Sequence, residues 1–229
     1  MAQLIADLQD VAFALYDQMD VEGLLTHDRY RDLNRKTMDL ILKEARNFAI
    51  KEVLPTRAEG EAQGLRFEGG EVHVPECYKR VNELLLEMEL TSPTEDPEKG
   101  GQGLPHLLSR AAGEFLVGAN WSMVTYPFTG HGTGKMIDLY GSDEQKKLFL
   151  KKLYTAAWGG TMVLTEPEAG SDLGAIKTTA VDNGDGTYRI QGDKIFITNG
   201  EHDLSENIVH PVLARIEGDK PGTKGISIF

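Results

Sequence analysis

The segment on which the fold depends reads Met162-Val163-Leu164-Thr165-Glu166-Pro167-Glu168-Ala169-Gly170-Ser171-Asp172. It joins an apolar strand to a turn that is rich in hydroxyl groups, small residues and carboxylates. Gly170 has no Cβ, so the backbone there can approach a ligand closely. The hydroxyl groups of Thr165 and Ser171 can each donate and accept hydrogen bonds. This combination predicts a ligand-binding turn at the end of a strand.

A second segment with the same plan reads Lys194-Ile195-Phe196-Ile197-Thr198-Asn199-Gly200. It is again an apolar strand pattern that ends in threonine and glycine. Two such strand ends, placed side by side, can form the floor of a cofactor site. We therefore predict that both segments contribute to one site and that the rest of the chain supports it.

The composition is that of a globular protein with one large core or two modest ones. Of the 229 residues, 40% are hydrophobic, which argues against wholesale disorder. Asp and Glu outnumber Lys and Arg by 36 to 24, which gives a formal net charge of -12. Nucleic acid and anionic membranes would not neutralise this excess of carboxylates, so neither is expected as a partner.

The sequence also predicts a soluble, cytoplasmic protein. Cys77 is the only cysteine, so no disulfide framework or cysteine-based metal cluster is expected. The N-terminus lacks a basic region and includes Asp7 and Asp10, which is unlike a signal peptide. No uncharged apolar run approaches the roughly 18 residues that a membrane-spanning helix needs.

Apolar residues at helical spacing predict that the chain begins with helices. Ser142, followed by Asp143 and Glu144, is typical of a helix N-cap with acidic residues in the first turn. The predicted elements are helices over 1–25, 29–54 and 75–90, a long loop over 56–74, and helices over 105–119, 121–140 and 142–154.

From Trp158 onward the pattern is that of strands and turns. Asp182-Asn183-Gly184-Asp185-Gly186 is typical of a hairpin turn. The predicted strands cover residues 161–165, 176–181, 187–191, 194–198, 208–215 and 225–229. The chain is therefore predicted to be α+β, with helices followed by an antiparallel β domain. Its last strand leaves an open apolar edge, which is an association hazard unless the chain is cut short or a partner covers it.

Other local patterns suggest alternative ligands but lack a required element. The glycines at 100–103 could cradle a phosphate, but no strand precedes them and no Gly-Lys-Ser/Thr follows, which favours a plain loop. A calcium loop beginning at Val181 would end at Gly192, so both essential carboxylates are missing. The histidines form no His-x-x-x-His pair, which gives a zinc site little support.

No catalytic group stands out from the residues alone. Ser171 lacks the Gly-x-Ser-x-Gly setting of a nucleophilic serine. Glu166 and Asp172 are either a paired acid and base or groups that cap and brace the turn, and the neighbouring proline and serine favour bracing. A Rossmann fingerprint is absent. The residues therefore indicate a ligand-holding β domain.

Thr165–Asp172 closely resembles the Thr-Glu-Pro-x-Ala-Gly-Ser-Asp signature of FAD-dependent acyl-CoA dehydrogenases. The N-terminal extension and residues 200–210 are most similar to the branch of this family that acts on 3-methylthiopropanoyl-CoA. Further matches to the family lie at Glu44-Ala45-Arg46-Asn47-Phe48-Ala49, Gly100-Gly101-Gln102-Gly103-Leu104, Tyr140-Gly141-Ser142-Asp143-Glu144-Gln145-Lys146, Lys194–Gly200 and Gly222-Thr223-Lys224-Gly225-Ile226-Ser227.

The resemblance implies an N-terminal helical extension over residues 1–35, a helical N-terminal domain over 36–156 and a middle domain over 157–229. The middle domain would be an incomplete antiparallel β-barrel, and the C-terminal helical bundle of the family would be absent. FAD would lie between the β domain and that bundle. Members of the family usually assemble as homodimers or homotetramers.

The resemblance also implies which residues bind the cofactor, and it implies no metal. These residues are Met162, Leu164, Thr165, Gly170, Ser171, Phe196 and Thr198. Thr165 and Thr198 would hydrogen-bond the isoalloxazine ring and tune its electron-accepting chemistry. Ser171 would face the flavin phosphates or the acyl-CoA substrate. The family often has an aromatic residue at position 162 and Trp at 196, but Met162 and Phe196 can still contact a ring.

The implied reaction is the α,β-dehydrogenation of an acyl-CoA thioester in fatty acid metabolism, with electrons passed to an electron-transfer flavoprotein. In the family, a glutamate of the C-terminal bundle removes the α-proton. That residue is expected beyond Phe229, so no catalytic residue is assigned and the chain is expected to be a fragment. Two interpretations stay open beside this one. They are a non-catalytic remnant or interaction module whose β edge a partner completes, and an acyl-CoA oxidase or flavin monooxygenase on the same scaffold.

Overall fold

The computed structural model describes residues 5–229. Within them, the first part of the chain is mainly helical and most of the strands follow it, as the α+β prediction states. The predicted first helix includes residues 1–4, which lie outside the described residues. The α-helices are Leu8–Ala12 (α1), Arg35–Phe48 (α2), Pro55–Gln63 (α3), Glu76–Glu87 (α4), His106–Tyr140 (α5) and Asp143–Tyr154 (α6).

The N-terminal extension is docked on α2. α1 continues into a π-helical turn at Phe13–Gln18, and Leu15 is buried in the main core. The Tyr16 hydroxyl donates to the carboxylate of Asp39 on α2 (2.8 Å). The guanidinium of Arg35 lies 4.1 Å from the centre of the Tyr16 ring, in a cation–π contact.

The predicted loop over residues 56–74 is wrong, because it contains α3 and a β-hairpin. Pro55 does not end a helix but begins α3, where its missing N–H costs no hydrogen bond. Gly60 packs against the Tyr78 ring and is one of the two buried residues of α3. This nearly fully exposed helix lacks the apolar stripe by which helices are recognised.

The helix α5 bends at Asn120. The backbone of Asn120 is non-helical (φ -158°, ψ 92°), so the two predicted helices over 105–119 and 121–140 meet there. Its side chain donates to the hydroxyl of Thr56 (2.9 Å) and accepts from the amide of Met123 (3.3 Å). The predicted N-cap at Ser142 is confirmed, and Gln145 completes a capping box with it.

The strands form an open, mixed sheet and two small pairs within the described residues, and they do not close into a barrel. The main sheet has four strands in the order Tyr188–Gln191 (β5), Thr179–Asp182 (β4), Leu213–Ile216 (β7) and Ile226–Ile228 (β8). The hairpin at residues 182–186 is confirmed between β4 and β5. The strands are Arg66–Glu68 (β1), Glu71–His73 (β2), Gly159–Gly160 (β3), Thr179–Asp182 (β4), Tyr188–Gln191 (β5), Ile208–Val209 (β6), Leu213–Ile216 (β7) and Ile226–Ile228 (β8).

The prediction of a purely antiparallel sheet is wrong in two places. β4 pairs with β7 in parallel, and β3 pairs with β6 in parallel. The reason is that residues 192–207 leave the sheet after β5 and contact the helices before returning. The predicted strand over 208–215 is split at Pro211, which has no N–H to donate to a ladder. The predicted strand over 161–165 keeps only a bridge between Val163 and Val212.

The helices share one core, and its largest fully buried side chains include Met38, Leu85, Phe115 and Met123.

No helix of residues 5–229 is both long and apolar enough to cross a bilayer. The same residues contain no cluster of potential metal ligands.

Candidate functional site

The structure brings the two predicted segments together. The amide of Ile195 donates to the carbonyl of Thr165 (2.9 Å). The ammonium group of Lys194 donates to the carbonyl of Leu164 (3.0 Å). The ends of the two segments are therefore adjacent, as their shared sequence plan predicts.

The second segment is not a strand, which corrects the prediction for residues 194–198. Phe196 and Asn199 have φ angles of 58° and 57°, in the left-handed region that side-chain-bearing residues rarely occupy. The side-chain amide of Asn199 donates to the carbonyl of Thr125 (3.0 Å) and to the hydroxyl of Thr129 (3.1 Å), both on α5. These contacts hold the segment in its turn and override its strand propensity.

Glu166 braces the turn, as one of the two interpretations of the sequence states. Its side chain is 6% exposed and accepts from the amides of Lys177 (2.6 Å) and Thr178 (3.0 Å). It also accepts from the Thr178 hydroxyl (2.5 Å) and from Lys194 (2.9 Å). Burial opposes ionisation, but the hydrogen bonds outweigh it and lower the pKa of Glu166 to about 2. A carboxylate with all these partners is unavailable as a general base. The Asp172 side chain makes no capping hydrogen bond, so bracing is confirmed for Glu166 alone.

The other predicted residues of the first segment face outward. Met162, Gly170 and Ser171 are exposed, and Leu164 and Thr165 are half-buried. A Cβ on Gly170 would meet nothing closer than the methyl group of Thr165, at an ordinary 3.8 Å. The fold itself does not require glycine there, which leaves room for the close approach of a ligand.

An apolar cleft of about 830 Å³ adjoins the second segment, and Thr198 lies in its wall. Its volume falls in the range of roughly 300–1,000 Å³ that is usual for small-molecule sites. The remaining wall comes from α2, the loop over residues 88–104 and α5. Residues that define the wall include Ile41, Leu90, Leu104, Leu116, Thr125 and Phe128.

The glycine-rich loop is structural, which agrees with the plain-loop interpretation. A Cβ on Gly101 would fall on the backbone of Glu95. The amide of Gly103 donates to the Glu95 carbonyl (2.8 Å), and the amide of Leu104 donates to the Pro93 carbonyl (2.9 Å). The loop therefore folds on itself and presents Leu104 to the cleft.

A buried ionic cluster beside the cleft could not be found from the sequence. The Glu95 carboxylate contacts His131 Nε2 (2.9 Å) and accepts from Lys135 Nζ (2.9 Å). Burial favours the neutral acid, but these two partners prevail and lower the pKa of Glu95. The only sequence signal here is the small-residue run over 130–134, which predicts close packing or ligand contact. Close packing is confirmed at Gly134, which lies against Tyr154, and Gly132 lines the cleft, where ligand contact stays a prediction.

The segment after Thr198 is clamped to the helical part of the chain. The Asp203 carboxylate accepts from the amide of Val74 (2.9 Å) and lies 3.3 Å from His73 Nδ1. His202 is buried, and its ring meets Tyr126 edge-on at 5.0 Å. Burial outweighs the nearby acids and lowers the pKa of His202. Its ring is therefore neutral at pH 7, and the clamp fixes the position of Thr198 relative to α5.

The fold and the site define an α+β protein with an apolar cleft where its helices meet its β part. Residues 36–157 match the model of the acyl-CoA dehydrogenase N-terminal domain, and residues 161–229 match that of the acyl-CoA dehydrogenase middle domain. The first match alone covers more than half of the chain. The chain belongs to the acyl-CoA dehydrogenase family.

Individual relatives agree with this assignment. The chain is 41% identical over 227 residues to 3-methylmercaptopropionyl-CoA dehydrogenase of Ruegeria pomeroyi, covering 98% of this chain and 38% of that protein. It is 36% identical to a broad-specificity linear acyl-CoA dehydrogenase of Mycobacterium tuberculosis, covering 100% of this chain and 38% of that protein. The chain thus spans about 38% of the length of these curated relatives.

A solved structure supports the same fold. The acyl-CoA dehydrogenase from Bacillus anthracis, determined in complex with FAD, superposes with a TM-score of 0.67 at 28% identity. The superposition covers 87% of this chain and 31% of that one.

Proposed function

We propose that this chain forms the flavin-binding and acyl-binding part of an FAD-dependent acyl-CoA dehydrogenase, which converts an acyl-CoA thioester into its α,β-unsaturated form. One observation carries the proposal. The hydrogen bond between Ile195 and Thr165 joins the segment over 162–172 to the segment over 194–200. Thr198 of the second segment lies in the wall of an apolar cleft. A cofactor seated on the segments would thus border the space available to an acyl chain.

The residues fit a flavin on grounds of local chemistry. The hydroxyls of Thr165 and Thr198 have no hydrogen-bond partner within residues 5–229, so both are available to a ligand. Phe196 is 85% exposed on a strained backbone, and Met162 is exposed nearby in the first segment. A flat aromatic ligand would cover such side chains. When bound, FAD supplies the acceptor for the hydride that leaves the substrate.

Each of these residues has a proposed task in holding that group. Thr165 and Thr198 donate hydrogen bonds to the ring and fix its orientation. Leu164 and Phe196 pack against it and exclude water. Gly170 admits the bulky cofactor, and the exposed Ser171 hydroxyl binds a flavin phosphate or the acyl-CoA substrate.

The cleft is proposed to hold the acyl part of the substrate. Its wall is mainly apolar, which suits a chain of methylene groups. The relative that is 41% identical supports 3-methylthiopropanoyl-CoA as the substrate.

We further propose the division of the protein into an extension over 1–35, a helical domain over 36–156 and a β domain over 157–229. An electron-transfer flavoprotein as acceptor and a homodimeric or homotetrameric assembly complete the proposal.

No residue among 5–229 is assigned as the base that removes the α-proton. Glu166 is committed to the brace, and Glu95 is committed to His131 and Lys135. Residues 5–229 thus bind, orient and shield the ligands and carry out no proton transfer.

Thr165→Val tests the flavin assignment. The substitution keeps the shape of the side chain and removes the hydroxyl, so FAD affinity is expected to fall by about tenfold, the value of a typical hydrogen bond. Quenching of FAD fluorescence on titration with protein measures the affinity. Thr179→Val, at an exposed position of β4, is the control and should leave the titration unchanged. Equal affinities for wild type and Thr165→Val would contradict the placement of Thr165 at the ring.

A further inference from the structure

Thr125 combines a buried, unpartnered hydroxyl with a place in the wall of the cleft. Within residues 5–229, the buried side-chain polar atoms that lack a partner belong to Ser92, Thr125 and His202. Of these three residues, only Thr125 lines the cleft. A buried hydroxyl without a partner has lost its hydrogen bonds to water and gained none in return. The position therefore points to a polar group that arrives with a ligand.

The surroundings of Thr125 explain why the chain does not satisfy this hydroxyl. A threonine in a helix often donates to a carbonyl of the preceding turn. The Thr129 hydroxyl does so, to Tyr126 (3.1 Å), but the Thr125 hydroxyl makes no such bond. Thr125 is 8% exposed and follows the bend at Asn120. No group of residues 5–229 takes this hydrogen bond, so a ligand in the cleft is the candidate partner.

The position of Thr125 relative to the second segment restricts what that occupant can be. Its carbonyl accepts from the side chain of Asn199, the residue that follows Thr198. Thr125 and Thr198 therefore lie on the same side of the cleft and both line it. The cleft that Thr125 lines is mainly apolar, with Leu116 and Phe128 among its wall residues. Several hydroxyl-bearing residues line the cleft, but within residues 5–229 only that of Thr125 is both buried and without a partner. One well-placed hydrogen bond of this kind can fix the orientation of a ligand.

We propose that Thr125 is a positioning residue, an inference that rests on the proposed function. Its hydroxyl hydrogen-bonds a carbonyl oxygen or ring nitrogen of the ligand beside Thr198. Two ligands of the proposed enzyme carry such an acceptor, namely the flavin ring and the acyl thioester. Either contact aligns the acyl part with the flavin, because both ligands meet at this end of the cleft. The residue acts by hydrogen bonding and takes no proton from the substrate.

Thr125→Val tests this inference against a matched variant, Thr133→Val. Thr133 lies on the same helix, is 1% exposed and does not line the cleft. Its hydroxyl donates to the carbonyl of Thr161 (2.9 Å), so it is satisfied within the chain. The measurements are thermal unfolding without ligand, FAD titration, and titration of the FAD-loaded protein with butyryl-CoA.

The two variants are expected to respond in opposite ways. Without ligand, Thr125→Val should keep or raise the melting temperature, because it removes an unpaired polar group. Thr133→Val should lower the melting temperature, because it leaves the Thr161 carbonyl unpaired. With ligand, Thr125→Val should weaken binding about tenfold, whereas Thr133→Val should not change it. A loss confined to FAD assigns the contact to the flavin ring, and a loss confined to butyryl-CoA assigns it to the thioester.

The remaining outcomes would overturn the inference. Unchanged affinity of Thr125→Val for both ligands would mean that the hydroxyl is served by an ordered water. A melting temperature lowered as much as in Thr133→Val would mean that it has a partner in the ligand-free protein. In both cases normal FAD binding by the wild type would leave the proposed function intact. A wild type that binds neither FAD nor butyryl-CoA would contradict the proposed function and the inference together.

Discussion

Glu166→Gln is expected to lower the free energy of unfolding by roughly 3–5 kcal/mol, the usual cost of removing one partner from a buried ion pair. The amides of Lys177 and Thr178 donate to different oxygens of Glu166, so the NH₂ group of glutamine would face one of these two donors. It would also leave Lys194, 9% exposed, without its counter-charge. Because Lys194 joins the two segments of the site, the substitution is expected to separate them. Urea denaturation of both proteins measures the loss.

The same residue gives the wild type a defined acid sensitivity. The pKa of Glu166 is about 2 in the folded chain against an ordinary 4.5. Its stabilisation is thus fully present above pH 4.5 and is lost as the pH falls from 4.5 toward 2. This difference in pKa corresponds to roughly 3 kcal/mol. Glu166→Gln should flatten this part of the stability profile.

Glu168→Gln is the control for both measurements. Glu168 belongs to the same signature, but its ion pair with Lys177 is exposed on both sides. Exposed pairs contribute little, so no measurable loss of stability is expected. If Glu166→Gln were as stable as Glu168→Gln, Glu166 would not be the brace of the turn.

Gly101→Ala is expected to lower the free energy of unfolding by roughly 3 kcal/mol and to weaken ligand binding in the cleft. The added Cβ would fall on the carbonyl group and Cα of Glu95. These are backbone atoms, so they cannot rotate away as a side chain would. The loop must then open, which moves Thr94 and Leu104 out of the cleft wall. Denaturation and butyryl-CoA titration measure the two effects.

Gly118→Ala is a control of opposite sign. Gly118 is exposed in α5, and a Cβ there would meet nothing within 4 Å. Alanine in a helix interior is favoured over glycine by about 1 kcal/mol, so this variant should be slightly more stable than the wild type. A Gly101→Ala protein of wild-type stability would show that Gly101 does not pack against the backbone of Glu95.

The sequence predicted those parts of the fold whose signals are local. Ser142 caps α6 because its hydroxyl reaches the amide of Gln145, three residues along the chain. The hairpin over 182–186 forms because its glycines at 184 and 186 adopt positive φ angles of 80° and 86°. The side-by-side arrangement of the two segments also followed from sequence, through their common plan. For the cap and the hairpin, the residues that decide the structure lie next to one another, whereas the pairing of the two segments was predicted from their similarity.

The features that could not be predicted depend on contacts between distant residues. The strand pattern of 194–198 is overridden by hydrogen bonds from Asn199 to α5. The parallel pairing of β4 with β7 depends on the path of the intervening chain through the helical part. The cleft and the orphaned hydroxyl of Thr125 exist only once helices and loop are assembled. Spacing along the chain carries no signal for such features.

The central claim is that the two segments bind FAD beside a cleft that accepts an acyl-CoA. The most direct test is to load the protein with FAD, remove free flavin by gel filtration, and record the flavin absorbance before and after adding butyryl-CoA. We predict that the flavin elutes with the protein and that butyryl-CoA perturbs its absorbance band to saturation. Flavin that elutes free of a folded protein would contradict the claim.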